Sequence, residues 1–559
     1  MWWVWIGLAF AAPDPTLDTL DDVLQEASVQ WSTYDDAPHY AAVTVTHGEE
    51  EQVSFGHGTL FDRVERASRT LDVDVRVGTP EVDSTHGLRG RSQWYASRRR
   101  PTPVPAIGAD LDQPLRRALW RELEAAWKAG RERLELVQGE LSVRVEEEVP
   151  AADFEVRSPV KSEEVPEVKS GSLDALEPHL LEWSLHLSQL PFVTRDDVRL
   201  IRKTEWRDIV DTEGSRVREV REAIRLMVMV NGVADDGEDL SVFHAWDVRH
   251  VDQLPDMAEA RKRVWKMGDE LLDLLRAKRG DAWRGPILLS GRAAAVFTHE
   301  VMGHRVEADR LRDDDEGKTY LSMVGQKVMP EWISIVDDPT LESWDGVPLR
   351  GHYRFDDEGV PAQPAPIVED GTFVGFLKGR RPVPGFPESN GHGRRSTGNW
   401  ARARMGNTIL SSTRTLTDAA LRSRLIKLAK SQGRAFGYLI DDIEGGFTMT
   451  GRVMPNAFNV RATRVTRIYV DGRPDEVVRG LDVVGTPLVA FANIVAAGDT
   501  PEVFNGTCGA ESGWVPVSAV APALLIEELE VQLKEKGSQR PPVLAKPLPL
   551  REGTTEVVR

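Results

Sequence analysis

A single cysteine, Cys508, stands in a chain of 559 residues. That excludes an internal disulfide framework and any zinc module built from several thiolates. Beyond the N-terminal segment, no apolar run approaches the ~18 residues of a membrane-spanning helix, so no span is expected in the mature chain. Positive charge is also short: the formal net charge is -19 and the isoelectric point is near 5.2. Such a field opposes binding to phosphate backbones, and no nucleic-acid partner is expected. The one basic stretch with interleaved aromatics, RGRSQWYASRRR at 89–100, reads more simply as a solvated loop before a proline-rich turn. No internal repeat of solenoid period is present.

What is there is an ordinary globular balance, 28% charged and 41% apolar, with sixteen tryptophans better explained as packing or surface anchors than as a cofactor box. The N-terminus, MWWVWIGLAFAAPDP, is apolar from Trp2 to Ala12, with small residues at Ala9 and Ala11. It lacks a Lys/Arg n-region, but its length suits a signal peptide over 1–12 and export to the periplasm or beyond. The alternative is a buried apolar segment on a cytoplasmic chain.

Periodicity divides the rest into an N-terminal α/β domain over 13–284 and a β-rich C-terminal domain over 285–533, an α+β chain with a mobile tail at 534–559. Within the first domain, helical apolar spacing at 16–31 is followed by alternating strands at 40–78 and a second long helix carrying Pro114 near its start. The Glu-, Pro- and Val-rich stretch 143–172 reads as an exposed connector or extended arm. From Leu173 to Lys278 helices are expected to dominate, interrupted by one strand-like run at 219–246. After GPILLS, a helix carrying THEVMGHRVEADR is expected.

That stretch poses the chemical question. His299, Glu300 and His304 read H-E-x-x-x-H. In the usual zinc-protease helix the histidines stand four apart and share a face. At five apart, on a regular helix, they diverge by roughly 140°. Two unrelated histidines on a buried helix therefore remain one reading. The other needs the helix to bulge or lose its regular geometry between Val301 and His304, at least cost near Gly303. The acidic run 313–317 reads as a solvated loop.

GPILLSGRAAAVFTHEVMGHRVEADR resembles the start of the metalloprotease domain of the TldD/PmbA family, with Glu307 and Asp309 following the histidines in the family pattern. Three further stretches are similar in the same order: the strand-and-turn segment VDDPTLESWDGVPLRG, the region ESNGHGRRSTGNWARARMGN, and the C-terminal NGTCGAESGW. The likeness covers about Gly285 to Val531.

The resemblance implies a TldD-like, site-containing zinc metallopeptidase acting on extended or unfolded peptides, held by strand addition. The assembly would be a homodimer or a heterodimer with a PmbA-like chain. His299 and His304 would bind Zn²⁺, Glu300 would act as general base, and Cys508 would be the third ligand, against its plainer reading as a small buried hydrophobe. His392 and Glu307 are next in line as ligands, a turn histidine with no site role being the simpler reading of His392, and a ligand imidazole is expected to donate a hydrogen bond to Glu307 or Asp309. Arg394, Arg395, Arg402 and Arg404 are candidates for polarising a carbonyl or holding peptide, the simpler reading being surface arginines. The competing function is a non-catalytic scaffold in a peptidase complex, with the motif retained but silent.

Overall fold

The structure, a computed structural model, describes residues 16–88, 101–105, 112–143, 150–164, 172–313, 316–448, 450–451 and 458–534. The signal-peptide segment 1–12, the basic stretch 89–100 and all but the first residue of the 534–559 tail lie outside the described residues. Among the described residues, no helix is long and apolar enough to cross a membrane.

In the N-terminal part, α1 (Thr16–Trp31), α2 (Asp112–Val143), α3 (Glu177–Gln189) and α4 (Met257–Arg276) cover an antiparallel sheet. Its long strands are β1 (Pro38–Gly56), β2 (Thr59–Val77), β3 (Arg195–Asp211), β4 (Arg216–Val233) and β5 (Asp239–Val248), in the order β2-β1-β3-β4-β5. A two-residue turn at His57 and Gly58, both at positive φ, closes the first hairpin. Val43 and Val45 of β1 pack with α1 and α2 through Leu20, Leu24, Leu119 and Leu123. Val53 and Phe55 pack with α3 and α4 through Leu180, Trp183, Val264 and Leu271. All four β1 residues are odd-numbered, so both helix pairs lie on one face of the sheet.

The opposite face carries Arg207, Glu219, Arg221 and Arg225, and it meets the C-terminal part through charge. Arg207 and Arg221 both pair with Asp357, and Arg354 pairs with Glu219. Arg380 pairs with Glu213 at 2.7 Å, and Arg225 donates to the Asn505 carbonyl at 3.2 Å.

Two expectations are corrected. The strand-like run at 219–246 is strand, as β4 and β5, but β3 is also a strand where a helix was expected. The charges of β3 misled because one face of the sheet is docked against a second domain instead of being solvated. Nor is the described part of 143–172 exposed throughout. Asp153 and Phe154 are buried: the Asp153 carboxylate accepts from Arg312 and from the Asp83 backbone and meets His86, while the Phe154 ring lies beneath the Arg380 guanidinium.

The C-terminal sheet has thirteen strands among the described residues. Along its middle run β7 (Ile333–Asp337), β8 (Asn407–Ser412), β12 (Gly513–Leu533), β6 (Trp283–Leu289), β9 (Phe436–Thr448) and β10 (Phe458–Tyr469), with β11 (Ile494–Ala510) forming a hairpin with β12. Ser290 ends β6 and caps α5 (Gly291–Val301), its hydroxyl accepting from the Ala293 backbone at 3.1 Å. Ala293, Ala294 and Ala295 are fully buried, so the small side chains let α5 lie close on the sheet. A second helix, α6 (Asp418–Ser431), packs Leu421 and Leu425 on the same domain.

Candidate metal centre

Helix α5 carries His299 and Glu300 in its last turn and stops at Val301. Met302 closes it, and Gly303–Arg305 continue as a 3₁₀ turn. The regular helix ends before His304 and the chain turns at Met302 (φ -102°, ψ -50°), so the angle expected for five residues on one straight helix no longer applies to the two imidazoles. Their ring centroids are 5.3 Å apart, at 79° to one another. The change falls at Gly303, and the reason is close approach: a Cβ there would stand 1.9 Å from the sulfur of buried Met405.

The β11–β12 hairpin brings Cys508 to the same place. Cys508 faces Val515 in the hairpin register and is buried, its Sγ 3.4 Å from His304 Nε2. One ligand atom from each of His299, His304 and Cys508 falls within 4.8 Å of the others. Bond lengths of about 2.05 Å and 2.3 Å place a nitrogen and a sulfur on one tetrahedral zinc about 3.6 Å apart, close to the His304 to Cys508 separation. His299 Nδ1 is buried with no hydrogen-bond partner in the protein. Two imidazoles and a thiol, one with an orphaned nitrogen, fit Zn²⁺.

Charge favours the binding form of the thiol. Burial alone would push the Cys508 thiol up, but His304, Arg404 and His299 outweigh burial and hold it well below its usual range. Burial likewise opposes protonation of His304, yet Cys508 and Glu307 hold that imidazole well above its usual value. Glu307 accepts from His304 Nδ1 at 3.2 Å, from Arg310 at 3.0 Å and from Arg404 at 3.2 Å. The hydrogen bond fixes the His304 ring and leaves Nε2 facing Cys508. Glu300 is also buried, with a carboxylate oxygen 4.0 Å from His304 Nε2.

Other candidates lie elsewhere. Asp309 accepts from the Ala403 backbone at 2.6 Å and from Arg402 at 3.2 Å, and so frames the loop, not an imidazole. His392 is fully buried between Asp337, at 3.2 Å, and Asn390, with both ring nitrogens engaged. It is therefore no rival ligand. The surface reading of the four arginines is overturned. Arg394 is buried over the Tyr353 ring, Arg395 is tied to Asp72, Arg402 to Asp309, and Arg404 is buried beside the cluster. In the acidic run, Asp313 and Glu316 pair with Arg381 and Arg310, which is more than a solvated loop does.

Sequence reasoning gave no role to Arg310 or to Glu511 at the hairpin tip, which pair at 3.1 Å. Arg310 sits three residues after Glu307, and Glu511 three after Cys508. Those spacings were the available signal.

Residues 283–533 match the model of the PmbA/TldA metallopeptidase C-terminal domain. A protein of Methanothermobacter thermautotrophicus named as a metalloprotease is 26% identical over 360 residues, 62% of this chain and 71% of that protein. A zinc metalloprotease TldD homolog of Saccharolobus solfataricus is 23% identical over 292 residues, 52% of this chain and 58% of the relative. The solved structure of TldE from Thermococcus kodakarensis matches over 92% of this chain and 99% of its own, with a TM-score of 0.60 at 14% identity. That last likeness is one of fold alone.

Proposed function

We propose, from the premise that residues 283–533 belong to the PmbA/TldD family of metallopeptidases, that this chain hydrolyses peptide bonds with zinc held by His299, His304 and Cys508. The observation that carries the reading is the convergence of those three donors from the α5 terminus and the β11–β12 hairpin. Bound zinc supplies Lewis-acid polarisation of water and of the scissile carbonyl.

The protein's own groups do the rest. Glu300, one position from a ligand and 4.0 Å from the other histidine, takes the proton of the attacking water and delivers it to the leaving amine. Glu307 orients the His304 ring through Nδ1. The buried setting keeps competing water away from these charges.

The substrate of this reading is an extended or unfolded peptide, and the working assembly is a pair of chains, either two copies or this chain with a PmbA-like partner. Digestion of a peptide library by the purified full-length chain tests it, with a chelator added and then zinc restored. Cleavage that stops with chelator and returns with zinc supports the reading. A metal-loaded chain, alone and with a PmbA-like partner, that cleaves nothing in the library would reduce it to a scaffold.

A further inference from the structure

We infer that the adjacent residues Arg404 and Met405 are the positioning element that sets Cys508 on the two histidines, an inference that rests on the zinc reading above. The donors come from segments more than two hundred positions apart, so something must fix the hairpin tip against the end of α5. Arg404 is fully buried and its guanidinium reaches four acceptors. It donates to the Cys508 carbonyl at 2.9 Å, the Gly513 carbonyl at 3.0 Å, the Ser512 hydroxyl at 2.9 Å and Glu307 at 3.2 Å.

Cys508 and Gly513 lie on the two strands that flank the tip, so one planar group holds both. Through Glu307 the same group connects to His304 Nδ1, 3.2 Å from the carboxylate. The path from one ligand to the other is continuous: His304, Glu307, Arg404, Cys508.

Met405 acts on the other segment. Its sulfur fills the space that a side chain at position 303 would need, with only 1.9 Å to an added Cβ. The 3₁₀ turn that brings His304 round therefore packs on Met405, while the neighbouring Arg404 grips the thiol-bearing hairpin. A lysine at 404 would keep the charge but could not present the planar fork that meets both carbonyls and the carboxylate together.

Cobalt substitution in the full-length chain tests this, because thiolate-to-cobalt charge transfer reports the Cys508 bond directly. The unmutated apoprotein titrated with Co²⁺ should show both charge-transfer and visible ligand-field bands. Arg404→Lys should keep ligand-field bands, lose most of the charge-transfer intensity, and bind zinc roughly 10- to 100-fold more weakly. Gly303→Ala, which strains the same element from the histidine side, should also weaken zinc binding and alter the ligand-field bands. If Arg404→Lys does not fold, Gly303→Ala decides alone. Wild-type charge transfer, ligand-field bands and zinc affinity in the folded variants, whatever their Tm, would overturn the inference. No cobalt or zinc binding by the unmutated chain would instead remove the zinc reading itself.

Discussion

Two regions of the molecule bury charge, and they use it differently. At the seam between the two sheets, Arg207, Arg221 and Asp357 join across domains, as do Arg354 with Glu219 and Arg380 with Glu213. At the candidate metal centre, Glu307, Arg310, Arg404 and Glu511 all belong to one domain and surround three potential donor atoms. The seam needs only to hold. Buried pairs of that kind are often no better than apolar packing, although breaking one leaves a costly unpaired charge. The centre has to hold at a stated geometry, since a ligand misplaced by an ångström no longer shares an ion. Loss of a seam pair should therefore appear as lost stability, and loss of a centre residue as lost metal or lost turnover.

The largest effect separates them most cleanly. His299→Ala or Cys508→Ala should abolish stoichiometric zinc, by metal analysis of purified protein, and reduce peptidase activity to background, while far-ultraviolet circular dichroism stays native. Glu300→Gln should retain zinc and lower kcat by roughly 10²- to 10⁴-fold. Zinc lost in that variant would make Glu300 a ligand instead of the base.

Asp357→Asn should do the reverse. It leaves Arg207 and Arg221 buried without their carboxylate, so denaturant unfolding should show a loss of about 3 to 5 kcal/mol with zinc affinity unchanged. If zinc affinity falls in parallel, the two networks are one unit.

The smallest effect is a pH dependence of the seam. Glu358 is held by burial, against the pull of Arg380 and Arg76, at about 7 instead of its ordinary 4.5. A carboxyl raised in the folded state contributes stability below the unfolded value, and that contribution is lost as pH rises through the folded one. Tm should therefore decline between pH about 4.5 and 7, and Glu358→Gln should flatten that slope.

Much of the centre was legible because its chemistry is local: two histidines and a glutamate within six positions pose the metal question unaided. The answer required Gly303, where an absent side chain marked the turn. Cys508 was legible only through resemblance, since nothing in NGTCGA declares which of many loops it will meet. The seam was the least legible. A charged residue reads as solvated, so Arg207 and Asp208, both buried, disguised strand β3. For the same reason Asp153 hid inside a segment whose composition reads as exposed.

The hairpin that carries Cys508 also imposes an order on how the site comes into being. As the chain emerges from its N-terminal end, His299 and His304 are available long before β12 exists to pair with β11 and β6. An early-bound ion would meet two imidazoles and no thiolate. The third donor joins them only when the β11–β12 hairpin meets the end of α5, closing a loop of some two hundred residues. Metal occupancy would thus report completion of folding, and the chain would remain without its hydrolytic centre while its own unfolded segments are still exposed nearby.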